Sequence, residues 1–205
     1  PSGVYLRKNA RRKYDAILKS ACRLFLKHGY THTSMDAIAA AAGVSKQTVY
    51  SYFTNKDVLF CHMIEDECNR HSPSDSLLEN PALTPQEALM RIAQGFMDTI
   101  ASQRGLAIHR VVMSEAGRYP RIAQLFFESG PVKMMRLLTT YLDRQCASGA
   151  MRVDNVELAV HHFFAMLKGW HQMRMVLKIK PLPTRKELDQ HVRDTVVAFC
   201  KIHNI

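Results

Sequence analysis

Apolar residues recur along this chain at the spacing of one helical face, and no alternating strand pattern interrupts them. The pattern predicts helices at 13–28, 34–41 and 46–52, and a fourth from about 54 to 71. Beyond a polar, proline-bearing stretch it predicts helices at about 84–103, 104–117, 121–148, 154–178 and 185–203, and Gly130-Pro131 kinks or splits the third of these. The predicted fold class is therefore all-α.

Turn and capping signals concentrate between residues 29 and 57. Gly29 closes the first helix as its C-cap, and Thr33-x-x-Asp36 has the capping-box pattern that starts the second. Gly43 suits a turn that needs a positive φ, and Ser45 is a favourable N-cap for the third helix. The pattern of Thr54-x-x-Asp57 is expected to start the fourth helix. Two short helices joined by a tight turn are typical of a helix-turn-helix.

A helix-turn-helix places the start of its second helix in the major groove of DNA. Lys46, Gln47 and Thr48 stand at that start, and the inward positions behind them are Val49 and Phe53. Glutamine pairs with adenine, and lysine with guanine or phosphate. Hydroxyls, helix N-termini and a lysine on the same outer face suit phosphate oxygens, and this set comprises Thr33, Ser34, Tyr50, Tyr52 and Lys56. The alternative is an alanine-rich helical hairpin with a solvated face.

The charge distribution favours a polyanionic partner. The 205 residues carry a formal charge of +10, and residues 1–60 hold ten lysines and arginines against three acidic residues. A basic N-terminal third indicates DNA or RNA rather than an acidic small substrate. Within it, residues 1–12 form a basic arm that either follows phosphates or the minor groove, with Arg7, Lys8, Arg11 and Arg12, or is a disordered tail.

A domain boundary is predicted within 70–83, where His71-Ser-Pro and Asn80-Pro lie. The predicted organisation is a helix-turn-helix domain with its basic arm at 1–60, a connecting helix and linker at 61–83, and an effector-binding and dimerisation domain at 84–205. No apolar run approaches 18 residues and the N-terminus lacks an apolar signal region, so the expected location is the cytoplasm. The five cysteines have no C-x-x-C spacing, which favours reduced buried thiols.

The C-terminal domain is rich in methionine and aromatic residues. Methionine-rich walls are adaptable and suit pockets for apolar ligands, although the same residues at helical spacing also serve as core. The residues predicted to line an effector pocket, with a histidine as its polar group, are Phe96, His109, Met113, Phe127, Phe163, Met166 and Trp170.

The run TSMDAIAAAAGVSKQTVYSYFTNKDVLF, from Thr33 to Phe60, closely resembles the DNA-binding domain of the tetracycline-repressor (TetR) family. The signature A-G-V-S-x-x-T-[LV]-Y-x-Y-F-x-x-K-[DE]-x-L is matched at every specified position from Ala42 to Leu59. The resemblance implies a homodimeric regulator, usually a repressor that binds a palindromic operator and is released by a small effector, here expected to be mainly apolar. It also implies phosphate contacts from Thr33 or Ser34, Tyr50, Tyr52 and Lys56, and base contacts from Ser45, Lys46, Gln47 and Thr48. Asp36 stands where the founding member has an arginine, and it is assigned to capping.

The C-terminal half resembles the family less specifically, through a segment from Arg110 that is similar to one effector-domain branch. In the family, the last two helices pair with their twofold mates as a four-helix bundle. The resemblance therefore implies a dimer seam, unless the same side chains form a core within one subunit. The residues assigned to it are Val160, Leu167, Leu188, Val192, Val196 and Phe199.

An enzymatic function is not expected, because the sequence holds none of the motifs G-x-G-x-x-G, G-x-x-x-x-G-K-[ST], H-E-x-x-H or G-x-S-x-G. Neither a cofactor nor a metal site is predicted, since the histidines and cysteines lack ligand spacing. The predicted partners are double-stranded operator DNA, a second copy of the chain and a small effector. The alternative is an architectural protein that binds DNA without sequence preference.

Overall fold

A computed structural model describes residues 2–80, 82–203 and 205, with residues 2–8 and 75 described by their backbone alone. Every regular element in these ranges is a helix, which confirms the all-α prediction. The helices are α1 (Ser2–His28), α2 (Met35–Ala42), α3 (Lys46–Tyr52), α4 (Lys56–His71), α5 (Asp75–Leu78), α6 (Pro85–Ala101), α7 (Gln103–Glu115), α8 (Pro120–Ser129), α9 (Pro131–Ala147), α10 (Val156–Leu177) and α11 (Arg185–His203).

The chain divides into two compact units. The first unit comprises residues 1–66 and 107–129, and so contains α1 to α3, most of α4, most of α7, and α8. The second comprises residues 67–106 and 130–205. The domain boundary predicted within 70–83 remains a prediction, and the structure adds that residues 107–129 pack with the N-terminal helices.

An aromatic cluster forms the centre of the first unit. The rings of Phe25, Tyr30 and Phe60 have centroids 5.1–5.7 Å apart in each pair, and all three side chains are buried. Val49 and Phe53 are also fully buried, as the spacing of the third helix predicts. The buried face of α3 therefore fixes which of its side chains point outward.

The second unit is a helical bundle built around apolar faces of α6, α9, α10 and α11. Two aromatic pairs join these helices, with ring centroids 4.8 Å apart for Phe96 and Phe164 and 4.9 Å apart for Phe163 and Phe199. At the start of α6, Thr84 and Glu87 form a reciprocal capping box. None of the described helices combines the length and the apolar character that a membrane span requires.

The predicted helices agree with the observed ones to within a few residues at most ends, apart from the start of α1 and the short α5, which the sequence pattern did not indicate. The helix predicted over 13–28 begins instead at Ser2, so residues 2–12 of the basic arm are helical, although the side chains of Arg7 and Lys8 lie outside the described residues. The break predicted at Gly130-Pro131 is confirmed: α8 ends at Ser129, and Pro131 occupies the first position of α9, where a proline needs no N–H partner.

We predict that Gly95→Ala destabilises the second unit, because a Cβ atom there lies 2.3 Å from the backbone oxygen of His71. Backbone cannot move aside as a side-chain tip does, so the expected loss in free energy of unfolding is about 1–3 kcal/mol. Denaturant unfolding measures it. Gly117→Ala is the control, since nothing lies within 4 Å of its Cβ, and equal effects of the two substitutions would contradict the close approach.

Candidate nucleic-acid interface

The turn between α2 and α3 is built from local hydrogen bonds. The Ser34 side chain accepts from the backbone N–H of Ala37 and caps α2, and the Ser45 side chain accepts from the N–H of Thr48 and caps α3. Gly43 has φ +66° and donates its N–H to the last turn of α2. Only glycine adopts this conformation without strain. These bonds set the angle at which α3 leaves the turn.

The polar side chains at the start of α3 are presented to solvent. Lys46 and Gln47 are exposed, and Ser45 and Thr48 hydroxyls lie 2.8 Å from each other. Lys46 Nζ lies 2.9 Å from a carboxylate oxygen of Asp36, and this hydrogen bond raises the pKa of the lysine. The group predicted to read bases therefore lies together on one exposed helix end.

An open concavity of about 420 Å³ is lined by residues from the start of α2, from α3 and from the start of α4. We call it the loop pocket, because the loop between α1 and α2 (residues 29–34) supplies half of its walls. Its lining combines hydroxyls, one lysine and the capped start of α2, and it comprises Thr31, His32, Thr33, Ser34, Met35, Tyr50, Asn55 and Lys56. Such a set of donors suits an anion.

Lys56 is the cation of the loop pocket. Its ammonium group donates to the carbonyl oxygen of Tyr30 at 2.9 Å and lies 3.5 Å from that of Thr31. It also sits 4.4 Å from the centroid of the Tyr30 ring. Burial lowers the pKa of Lys56, and the nearby carboxylates of Glu115 and Asp57 oppose that effect. The lysine is thus held in place by the loop rather than free to follow a ligand.

Three details of the sequence interpretation are wrong. Thr33 is 3% exposed and its hydroxyl donates to the carbonyl of Gly29, so Ser34 and not Thr33 caps α2. Asp36 pairs with Lys46 instead of completing a capping box. Asn55 and not Thr54 accepts from the first turn of α4, through the N–H of Val58.

Tyr50 and Tyr52 differ in the structure, although the sequence assigns them one role. Tyr50 is 42% exposed and lines the loop pocket. Tyr52 is only half-buried, but its hydroxyl donates to the backbone oxygen of Ala10 at 3.0 Å, and its ring packs edge-on against Tyr14. Tyr52 can therefore donate to a phosphate oxygen only after its hydrogen bond to the Ala10 carbonyl has broken.

A carboxylate that sequence reasoning missed holds the loop from the other side. Glu115, at the end of α7, accepts from the backbone N–H groups of Tyr30 and Thr31 and from the Thr31 hydroxyl, the last two at 2.9 and 2.7 Å. Asp57 accepts from the Tyr30 hydroxyl and lies 3.5 Å from Arg121. These partners are 27 to 85 positions apart in sequence, so no local pattern could have indicated them.

The residues predicted to line an effector pocket do not form one set. Met113, Phe127 and Trp170 are 60%, 55% and 71% exposed, and side chains this exposed do not enclose a ligand in this conformation. Phe163 is fully buried against Phe199 and belongs to the core. His109 packs edge-on against Phe126 in the first unit. Phe96, which is buried against Phe164, and the half-buried Met166 both lie in the second unit, so an effector site there stays a prediction.

The predicted dimer seam needs a similar correction. Val160, Leu167, Val192, Val196 and Phe199 are at most 1% exposed within the single chain, and Leu188 is partly buried. Their surface is already used in the core of one subunit, which is the alternative that the sequence left open. The apolar side chains that α10 and α11 leave exposed are Leu158, Trp170, Met173, Leu177, Val197 and Ile202.

The described residues contain no group of three or more histidine, cysteine or acidic side chains placed to hold a metal ion. None of the five cysteines, all of which the structure describes, forms a disulfide bond. Burial raises the pKa of the Cys200 thiol, which keeps it protonated.

Comparison with known proteins places this geometry in a family. The family model "Bacterial regulatory proteins, tetR family" matches residues 17–63, and the model "AefR-like transcriptional repressor, C-terminal domain" matches residues 87–203, more than half of the chain. The solved structure of the flavonoid-responsive regulator FrrA is 34% identical, with a TM-score of 0.70 over 93% of this chain and 96% of that one.

Two further relatives cover most of the chain. A TetR-family transcriptional regulator from Mesorhizobium loti MAFF303099 is 25% identical, with a TM-score of 0.74 over 94% of this chain and 97% of that one. The HTH-type transcriptional regulator YvkB of Bacillus subtilis strain 168 is 24% identical over 84% of this chain and 89% of its own length. All are regulators rather than enzymes.

The fold and the exposed start of α3 define a helix-turn-helix DNA-binding protein with a helical C-terminal domain. The chain belongs to the TetR family and is a DNA-binding transcriptional regulator.

We predict that Gly29→Ala destabilises the first unit more than Gly43→Ala does. Both glycines have positive φ, +82° and +66°, so each alanine adds about 1–2 kcal/mol of backbone strain. At Gly29 the new Cβ also lies 2.3 Å from Glu115 Oε1 and displaces that carboxylate, whereas nothing lies within 4 Å at Gly43. Thermal unfolding of the two variants measures the difference, and identical losses would contradict the role given to Glu115.

Proposed function

We propose that the protein is a repressor that binds a palindromic operator as a homodimer and releases it when a small, mainly apolar effector binds the C-terminal domain. It acts in the cytoplasm, where the chromosomal DNA lies. The observation that carries the proposal is the start of α3, where Ser45, Lys46 and Gln47 are exposed and Thr48 is half-buried, on the same helix whose Tyr50 lines the loop pocket.

On DNA, the two groups of residues have different tasks. Lys46, Gln47 and Thr48 read base edges in the major groove, with Ser45 at the start of the helix. Ser34, Tyr50 and Lys56 bind phosphate oxygens at the loop pocket, where the capped start of α2 adds backbone N–H groups. Thr33 supports this site from within, through its bond to Gly29, and Tyr52 joins the phosphate contacts only if its hydroxyl leaves Ala10.

The dimer uses side chains that the single chain leaves exposed on α10 and α11. Trp170, Met173 and Leu177 follow one another at helical spacing beyond Gly169, where the backbone of α10 departs from helical geometry with φ +39°. Exposed apolar surface of this kind favours a protein partner. A twofold dimer spaces two recognition helices for two half-sites of an operator, about 34–36 Å apart or a multiple of that.

The effector site is placed in the second unit, near Phe96 and Met166. Support comes from the C-terminal family, described as that of AefR-like transcriptional repressors, and from FrrA, a regulator that responds to flavonoids. Ligand and operator weaken each other by the same factor, because each favours a different conformation of the dimer.

We predict that Gln47→Ala changes which DNA sequences bind, because a lost base contact discriminates at one position by about 1–3 kcal/mol. Lys56→Ala is the contrasting variant: it weakens all sequences alike and lowers the slope of log K against log salt by about 1. Both effects are measured by titrating the region upstream of the protein's own gene, and variants of it, over a salt series. Uniform loss of affinity in both variants would contradict the division of roles.

The same titration tests the proposed function itself. The repressor is expected to retain its upstream DNA against an excess of random competitor DNA. Equal displacement by random DNA would instead favour an architectural protein without sequence preference.

We predict that Trp170→Glu and Val197→Glu each weaken the dimer at least about tenfold, since loss of a buried anchor costs about 2 kcal/mol or more. Analytical ultracentrifugation measures the monomer–dimer equilibrium. Phe127→Glu is the matched control, because Phe127 is an exposed apolar residue of α8 in the first unit. If the dimer persists in both Trp170→Glu and Val197→Glu, the exposed apolar side chains of α10 and α11 do not form the dimer interface.

A further inference from the structure

We propose that Glu115 is a positioning residue for DNA binding: its carboxylate fixes the α1–α2 loop in the conformation that binds phosphate. The residue lies in the part of the chain matched by the C-terminal family model, at 87–203, and outside the helix-turn-helix match at 17–63. The inference rests on the proposed phosphate contacts of the loop pocket, and it assigns control of that pocket to a residue of α7.

The first support is the arrangement of hydrogen bonds on both sides of the Tyr30–Thr31 segment. Its two backbone N–H groups donate to Glu115, and its two carbonyl oxygens face Lys56, at 2.9 Å for Tyr30 and 3.5 Å for Thr31. The Glu115 carboxylate thus holds the N–H groups of these two residues, and the Lys56 ammonium group holds their carbonyl oxygens. Charge-assisted hydrogen bonds of this kind are the stronger class.

A second, independent support is Gly29. Its positive φ of +82° turns the chain at the end of α1, and the missing side chain leaves the space that Glu115 Oε1 occupies, 2.3 Å from where a Cβ atom would lie. The carbonyl oxygen of Gly29 also accepts a hydrogen bond from the hydroxyl of the buried Thr33. The loop is therefore shaped around the carboxylate of Glu115.

The bonded loop residues and the loop pocket overlap. Thr31 donates to Glu115 through both its N–H and its hydroxyl, and it also lines the pocket together with Lys56, which the same segment holds. Thr31 is exposed, so water can replace the carboxylate if Glu115 is lost. The loop would then populate other conformations, and the affinity for phosphate would fall in proportion to the competent fraction.

For Glu115→Gln, the loss of negative charge and the loss of loop positioning predict opposite changes in DNA affinity. Glu115 carries a negative charge toward a site that binds an anion, so its neutralisation alone should tighten DNA binding. Glu115→Gln keeps the shape, but its amide cannot accept from three donors, so the loop should loosen and binding should weaken. The direction of the change therefore separates the two effects.

The experiment measures DNA affinity over a salt series for the full-length wild type, Glu115→Gln and the control Glu128→Gln. Glu128 is an exposed residue of α8, and its replacement changes the net charge equally. We expect Glu115→Gln to bind about 2-fold to 30-fold more weakly, the range for residues that act through their surroundings, and to show a smaller salt slope. Glu128→Gln should bind like the wild type or slightly more tightly.

A double-mutant cycle tests whether Glu115 acts through the pocket. If it positions Lys56, then Glu115→Gln combined with Lys56→Ala binds about as weakly as Lys56→Ala alone. Additive losses would show that Glu115 acts elsewhere and would overturn the inference. Where Glu115→Gln fails to fold, Glu115→Asp replaces it, since the shorter side chain keeps the charge but not the reach.

Failure of the proposed function and failure of the role inferred for Glu115 give different results in these measurements. If the wild type shows no salt-dependent, sequence-specific binding, the proposed function fails. If the wild type binds and Glu115→Gln binds equally well or more tightly while folded, Glu115 is a structural residue only and the inference fails.

Discussion

The loop between α1 and α2 must satisfy its own backbone polar groups and still leave donors for a ligand. Unpaired backbone groups are expensive where water is excluded, so their partners are part of the fold. Here the partners are distant in sequence: Glu115 for the N–H groups of Tyr30 and Thr31, and Lys56 for their carbonyls. The buried ring of Tyr30 anchors the segment in the aromatic core, and its hydroxyl donates to Asp57.

The two lysines of the proposed DNA-binding surface, Lys56 and Lys46, lie in different environments. Lys56 is partly buried and held by the loop, whereas Lys46 is exposed and pairs with Asp36 on the surface. Exposed ion pairs of this type contribute little to stability. Breaking the Lys46–Asp36 pair so that Lys46 can contact DNA would therefore cost little free energy. The rigid lysine suits a fixed phosphate, and the loosely paired lysine suits base edges that differ between sequences.

The helices and the recognition helix were predictable because their signals are local. Ser45, Gly43 and the inward pair Val49 and Phe53 act within a few residues, and the structure confirms each. Thr33 was misassigned because Ser34 beside it caps equally well, and burial decided between them. Glu115 was out of reach, since its partners are about 85 positions away. The seam residues failed for a related reason: periodicity shows that a face is apolar, but not whether a partner in the same chain already covers it.

The most direct test of this account is hydrogen exchange at the single backbone amide of Thr31. The residue is exposed, so its amide should exchange rapidly unless the Glu115 carboxylate holds it. We predict strong protection of this amide in the free protein, loss of that protection in Glu115→Gln, and greater protection in the wild type when operator DNA is bound. Exchange at the rate of an unprotected amide in the wild type, with or without DNA, would contradict it.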